Sequence, residues 1–174
     1  MILKNIMILV IITNCWRGSV DSWKRLVIND EVSVEFPKLP VRKEFEDKEM
    51  YFYKSLKYAI MVGISKTHFI DYRSKQNIYD KTKVVDLFLD DVVKGKISSG
   101  NYTSISVKTL KLGKYIGREV TYSSSTKGIN YNQKRFAVFF VINDNLYAFE
   151  FWNLQNTENA IDKAHFYNSI LIKS

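Results

Sequence analysis

The sequence is poor in the residues that build metal sites and disulfide bonds. Its 174 residues include one cysteine, Cys15, and two histidines, His68 and His165. A single thiol cannot form an internal disulfide bond, so the packed core has to stabilise the fold. Zinc sites usually need three or four cysteine or histidine ligands. We therefore expect no metal and no other cofactor.

Recognisable catalytic motifs are also missing. Seven glycines are too few and too scattered for a dinucleotide fingerprint, and there is no Gly-x-Ser-x-Gly or His-Glu-x-x-His motif. Asp90 and Asp91 are adjacent on a predicted helix, so their side chains point apart and cannot bracket a substrate bond. We assign no catalytic residue and predict that the protein is not an enzyme. The alternative is a hydrolase-like enzyme whose dispersed site would form a deep pocket with strongly perturbed titratable groups.

The sequence has no block of basic residues, although its net charge is positive. Lysine and arginine number 26 and aspartate and glutamate 18, which gives +8. The basic residues are scattered, whereas a nucleic-acid-binding domain normally clusters them on one element. We expect no nucleic-acid partner and interpret these residues as solvated. The alternative is a basic surface that binds an anionic polymer or lipid, with a steep salt dependence.

The N-terminus has the pattern of an export signal. Lys4 precedes an unbroken apolar run at residues 6–12, which is shorter than the roughly 20 residues that span a bilayer but typical of a signal peptide. Cys15 follows closely and resembles a lipidated cysteine, although Asn14 stands where a small residue is usual. We predict a signal peptide at 1–14, a tether at 15–22 and a single domain at 23–174, with Cys15 as the lipidation candidate. The alternative is that residues 1–14 form a buried first strand.

Alternating apolar and polar residues predict strands over much of the domain. Residues 135–142 are apolar on both faces, which predicts a central, covered strand. Arg135 and Glu150 are interpreted as a cross-strand ion pair. Residues 41–48 and 66–80 are polar and predict loops. The predicted strands cover residues 23–28, 32–36, 49–55, 58–64, 102–112, 115–123, 135–142 and 146–152.

Two amphipathic segments predict helices. The first is capped by Asp80 and carries an apolar stripe formed by Val85, Phe88, Leu89 and Val92. Its acidic residues, Asp86, Asp90 and Asp91, are interpreted as a solvated face in preference to a divalent-metal site. The second helix begins near Thr157 and places one face toward the core, formed by Ile161, Ala164, His165 and Asn168. We expect His165 to pack at the edge of the core and assign it no catalytic role.

The order of these elements resembles the PsbP-like superfamily, which includes small bacterial envelope proteins related to DcrB. The resemblance rests on VEFPKLP at residues 34–40, on the paired strands with Arg135-Phe136 and Tyr147-Ala148-Phe149, and on FYNSI at 166–170. It implies an α+β fold, an α/β/α sandwich with a predominantly antiparallel sheet covered by helices. Members serve as accessory or binding proteins, and the family offers no catalytic motif.

Together, these patterns favour an exported accessory or binding protein of the bacterial envelope, in the periplasm or anchored to a membrane. We expect a protein partner in the envelope, and membrane contact through a lipid on Cys15 if that residue is acylated.

Overall fold

The computed structural model describes residues 23–76, 80–100, 102–124 and 133–173. The predicted signal peptide and tether, including Cys15, therefore lie outside the described residues. The described elements, in chain order, are β1 (Lys24–Val27), β2 (Val32–Phe36), β3 (Val41–Glu44), β4 (Lys48–Lys54), β5 (Tyr58–Ser65), α1 (His68–Ser74), α2 (Lys81–Ser99), β6 (Tyr102–Leu112), β7 (Tyr115–Ser124), β8 (Gln133–Ile142), β9 (Asn145–Asn153), α3 (Ala160–Asn168) and β10 (Leu171–Ile172).

Seven strands form one large antiparallel sheet in the order β3-β4-β5-β9-β8-β7-β6. The two-sided apolar segment is β8, which lies beside the central strand β9, and both of its faces are buried. A strand needs apolar side chains on both faces only where both faces of the sheet are covered. The prediction of a central strand at residues 135–142 is therefore confirmed.

Each face of the large sheet packs against a different layer. On one face, a small sheet of β1, β2 and β10, together with α3, covers a core that includes Phe36, Phe149 and Phe166. On the other, which we call the helical face, α1 and α2 cover a second core that includes Phe88 and Phe139. The α+β fold with a helix-covered antiparallel sheet is confirmed.

Two segments predicted as loops form regular elements. Residues 41–44 form β3, an exposed edge strand that pairs with β4 through the backbone. Its charged side chains show no alternation because neither side of it is buried. Residues 68–74 form α1, which buries only Phe69. A single anchoring residue gives no helical periodicity in the sequence.

The predicted helices are present, but their buried faces differ from the prediction. The Asp80 cap is confirmed because its carboxylate accepts hydrogen bonds from the backbone N–H groups of Thr82 and Lys83. α2 buries a stripe rotated slightly from the predicted one, formed by Val84, Phe88, Leu89 and Val93. In α3 the buried residue is Phe166, while Ile161 is 86% exposed, so the predicted face of that helix is wrong. Its start near Thr157 is also wrong, because the helix begins at Ala160.

Among the described residues, no helix combines the length and the apolar character needed to cross a membrane.

Candidate binding groove on the helical face

The two helices cover only part of the helical face. α2 lies against β6, β7 and β8, and α1 lies against β9. The same face of β3, β4 and β5 stays partly open, and we call it the open face. The strand register places ten residues of β3, β4 and β5 on it: Val41, Lys43, Lys48, Met50, Phe52, Lys54, Ala59, Met61, Gly63 and Ser65. Trp152 of β9, opposite Ala59, lies on the same face.

The centre of the open face is apolar. Met50, Phe52 and Met61 are half-buried, and neither buried cluster includes them. The rings of Phe52 and Trp152 lie 6.2 Å apart, and Val41 at the sheet edge is 60% exposed. Methionine is flexible and polarisable, so it adapts to different apolar partners. These residues form a partly exposed apolar surface.

A groove of about 410 Å³ runs between the open face and the helices. Gly63 and Ala148 are directly opposite each other on β5 and β9 and form its floor. Met50 and Met61 line the strand side. His68 from α1 and Lys96 from α2 line the helix side. The groove is open because its floor residues are small.

Gly63 is not required by the backbone. Its φ is not positive, and a Cβ placed there would meet only the Ala148 Cβ, at 4.0 Å, which is ordinary van der Waals contact. At Gly117, in contrast, a Cβ would lie 2.7 Å from the Phe139 carbonyl oxygen. The fold therefore needs glycine at 117, whereas glycine at 63 mainly leaves space in the groove.

A buried carboxylate fixes the inner wall of the groove. Glu150 is 1% exposed, and Lys96 Nζ donates to its Oε1 and Oε2 at 2.7 and 3.0 Å. Tyr122 Oη and Trp152 Nε1 each donate to Glu150 Oε2 at 2.8 Å. Burial, followed by the charge of Glu150, raises the pKa of the Tyr122 phenol far above its ordinary value. With donors on α2, β7 and β9, this carboxylate ties the end of α2 to the sheet.

The predicted ion pair between Arg135 and Glu150 is wrong. The register places Arg135 opposite Trp152 and Glu150 opposite Ala137. The two charged residues are therefore offset by two positions along the paired strands. The Arg135 guanidinium lies over the rings of Tyr102 and Trp152, at 5.0 and 4.7 Å from their centroids. Arg135 Nη1 also donates to Tyr102 Oη at 2.8 Å. The guanidinium is held by aromatic faces.

The open face is positively charged. Lys43, Lys48 and Lys54 are exposed around its apolar centre. Among the described residues, no carboxylate forms an ion pair with these three lysines. The register directs Glu44 and Glu49 to the opposite face, and Lys96 neutralises Glu150. The open face thus has an apolar centre with lysines around it, and Lys48 is the one of these three that lines the groove itself.

The acidic residues of α2 have a structural role beyond solvation. Asp86 and Asp90 bind the buried Arg118 guanidinium at 2.9 and 2.8 Å and hold α2 against β7. Asp91 accepts from Tyr72 and Lys94. In the part of the chain that the structure describes, no group of three or more potential ligand side chains could hold a metal ion.

The two histidines differ in their surroundings. His165 Nε2 lies 2.8 Å from Glu35 Oε2, and its ring lies 4.4 Å from that of Trp23. The residue is exposed, so the prediction that it packs at the edge of the core is wrong. His68, on the groove wall, carried no signal in the sequence, because a wall residue is defined by the packing of α1 against the sheet.

Comparison with known proteins shows similarity at the level of the fold. No family model matches the chain, and no curated protein matches it by sequence. The solution structure of cyanobacterial PsbP from Synechocystis sp. PCC 6803 superposes with a TM-score of 0.55 and 14% identity, over 92% of this chain and 98% of that one. A Pseudomonas aeruginosa protein of unknown function gives a TM-score of 0.44 and 8% identity, over 82% of this chain and 90% of that one. The chain thus has the PsbP-like fold that the sequence resemblance implied.

Proposed function

We propose that this protein is an exported binding protein of the bacterial envelope that holds a protein partner in the groove of the open face. The observation that carries the proposal is the groove in the open face, with its floor of Gly63 and Ala148. Partly exposed apolar residues and three lysines without ion-pair partners lie on the same face. Contiguous apolar surface that is left uncovered on a soluble domain commonly marks an interaction site.

A binding role fits the chemistry of the groove better than a catalytic one. A general acid or base must reach the proton that it transfers. Glu150, the buried carboxylate in the groove wall, already accepts hydrogen bonds from Lys96, Tyr122 and Trp152. The PsbP-like resemblance of the sequence implies an accessory role as well.

Photo-cross-linking tests this role. Phe45 lines the groove rim and is 56% exposed, so a benzoylphenylalanine at this position would contact anything that occupies the groove. We expect it to cross-link one defined envelope protein in the native host. The same substitution at Ile161, which is 86% exposed on α3, is the control and should give no such product. Equal products at both positions, or none at Phe45, would contradict the proposal.

The export and anchoring of the chain are proposed from its first 22 residues. Lys4, the apolar run at 6–12 and Cys15 support cleavage before the cysteine and acylation of its thiol. Mass spectrometry of the mature N-terminus should find an acylated Cys15, and the Cys15→Ser variant should lack the lipid mass. Retention of Met1 in the mature chain would contradict export by this route.

A further inference from the structure

We infer that the segment held in the groove is acidic and extended, with a large apolar side chain over Gly63 and carboxylates directed toward Lys43, Lys48 and Lys54. The inference rests on the proposed function and adds the chemistry of the partner. It comes from the positions of the lysines around the apolar centre.

The floor of the groove sets the size of the inserted side chain. Gly63 and Ala148 together offer one methyl group to the groove, while Met50, Met61 and Leu146 surround them. A groove of about 410 Å³ has room for a leucine, methionine or phenylalanine side chain and for part of its backbone. Burial of that side chain supplies the non-directional part of the attraction.

The lysines set the spacing of the acidic side chains. Lys48 and Lys54 lie at the two ends of β4 on the same face, and six residues of strand span about 20 Å. Lys43, on the edge strand β3, is directly opposite Met50. An extended partner segment would match Lys48 and Lys54 with carboxylates about six residues apart, on either side of its apolar residue. Charge complementarity of this kind steers association and fixes register.

The shape of the site favours a protein segment over a lipid surface. The floor is recessed beside α1 and α2, whose His68 and Lys96 side chains form a wall. A flat bilayer would meet the rim at Phe45 and Lys48 before it reached Gly63. A single extended segment of a partner protein, in contrast, is narrow enough to place a side chain against Gly63 at the groove floor. Anionic lipid is nevertheless attracted by lysines, so the test below also measures binding to anionic lipid vesicles.

The test is selection of peptides from a random twelve-residue display library on the full chain. We expect the enriched peptides to carry a large apolar residue with aspartate or glutamate on both sides. The variant with Lys43→Glu, Lys48→Glu and Lys54→Glu should bind them at least about ten-fold more weakly, and raised salt should weaken binding to the unmodified chain. Gly63→Val, which fills the floor, should abolish binding.

The matched control reverses three other exposed lysines, with Lys83→Glu, Lys108→Glu and Lys111→Glu, and should change the affinity less than about two-fold. Enrichment of neutral or basic peptides, equal losses in the two triple variants, or no enrichment would overturn the inference. So would phosphatidylglycerol vesicles that bind the chain and lose that binding only in the groove triple variant, because they would identify the lysines as a lipid site. Each of these results leaves the Phe45 cross-link as a separate test of the groove.

Discussion

Glu150 is a buried charge that depends on its neighbours. Its carboxylate accepts hydrogen bonds from Lys96, Tyr122 and Trp152. Bulk water has little access to a carboxylate that is 1% exposed, so removal of this acceptor leaves the donors without their partner. Lys96 keeps access to solvent, with 26% of its side chain exposed, and Trp152 is partly exposed, whereas Tyr122 is fully buried.

Glu150→Ala should therefore lower the free energy of unfolding by about 3 kcal/mol, because leaving buried donors without their charged partner costs about that much. Urea denaturation measures the change. Glu119→Ala, at an exposed strand position on β7, is the control and should change stability by less than about 0.5 kcal/mol. A loss below about 1 kcal/mol in Glu150→Ala would show that the network is weaker than its geometry indicates.

Glu35 links stability to pH at the opposite face of the molecule. The hydrogen bond from His165, followed by that from Arg25, lowers the pKa of the Glu35 carboxyl below its ordinary 4.5, although burial acts the other way. A carboxyl whose pKa is lower in the folded state stabilises the fold above its unfolded pKa. That contribution disappears as the pH falls through the folded pKa.

Glu35→Gln should therefore be less stable than the unmodified chain at pH 6, and the difference should shrink as the pH falls below about 4.5. Chemical denaturation over the range from pH 6 to pH 3 measures it. Glu46→Gln, at an exposed turn position, is the matched control. A stability difference in Glu35→Gln that is constant over this range would refute the linkage.

At the scale of elements, the sequence predicts those whose side chains alternate between two environments. β2, β5 and β9 are predicted by apolar residues that alternate along the strand. β8 is predicted by a continuous apolar run, because both of its faces are buried. β3 lies exposed at the sheet edge, and its backbone pairing with β4 leaves no pattern in the side chains. In α3 the apolar Ile161 points to solvent, so periodicity alone selected the wrong face.

α1 depends on tertiary packing. A helix of seven residues is too short to be stable by itself in water. Its only buried residue is Phe69, whose ring centroid lies 5.2 Å from that of Phe88 in an edge-to-face arrangement. Phe69→Ala should lower the free energy of unfolding by about 3–5 kcal/mol.

The neighbouring substitution Ile70→Ala is the control, because Ile70 is 45% exposed, and it should cost less than about 1 kcal/mol. Thermal or urea unfolding compares the two variants. Equal losses would mean that α1 is not anchored through Phe69.

At the scale of the whole molecule, the groove exists because two helices cover a face that is wider than they are. Met50, Phe52 and Met61 alternate with buried residues as in any half-buried strand, so the sequence predicts the strands that carry them. It does not predict that α1 and α2 stop short of these side chains. The lysines at 43, 48 and 54 likewise come to lie on one face only after the antiparallel strands β3 and β4 pair.

The most direct test of the groove is a comparison of two glycine substitutions in the chain that carries benzoylphenylalanine at position 45. Gly63→Val adds a β-branched side chain that strands tolerate well and fills the groove floor, whereas Gly95→Ala adds a methyl group on α2 that meets no atom within 4 Å. With unfolding midpoints matched to the unmodified chain, we predict that Gly63→Val reduces the cross-linked product at least about ten-fold and that Gly95→Ala leaves it unchanged. An undiminished product in a folded Gly63→Val variant would show that the partner does not bind in this groove.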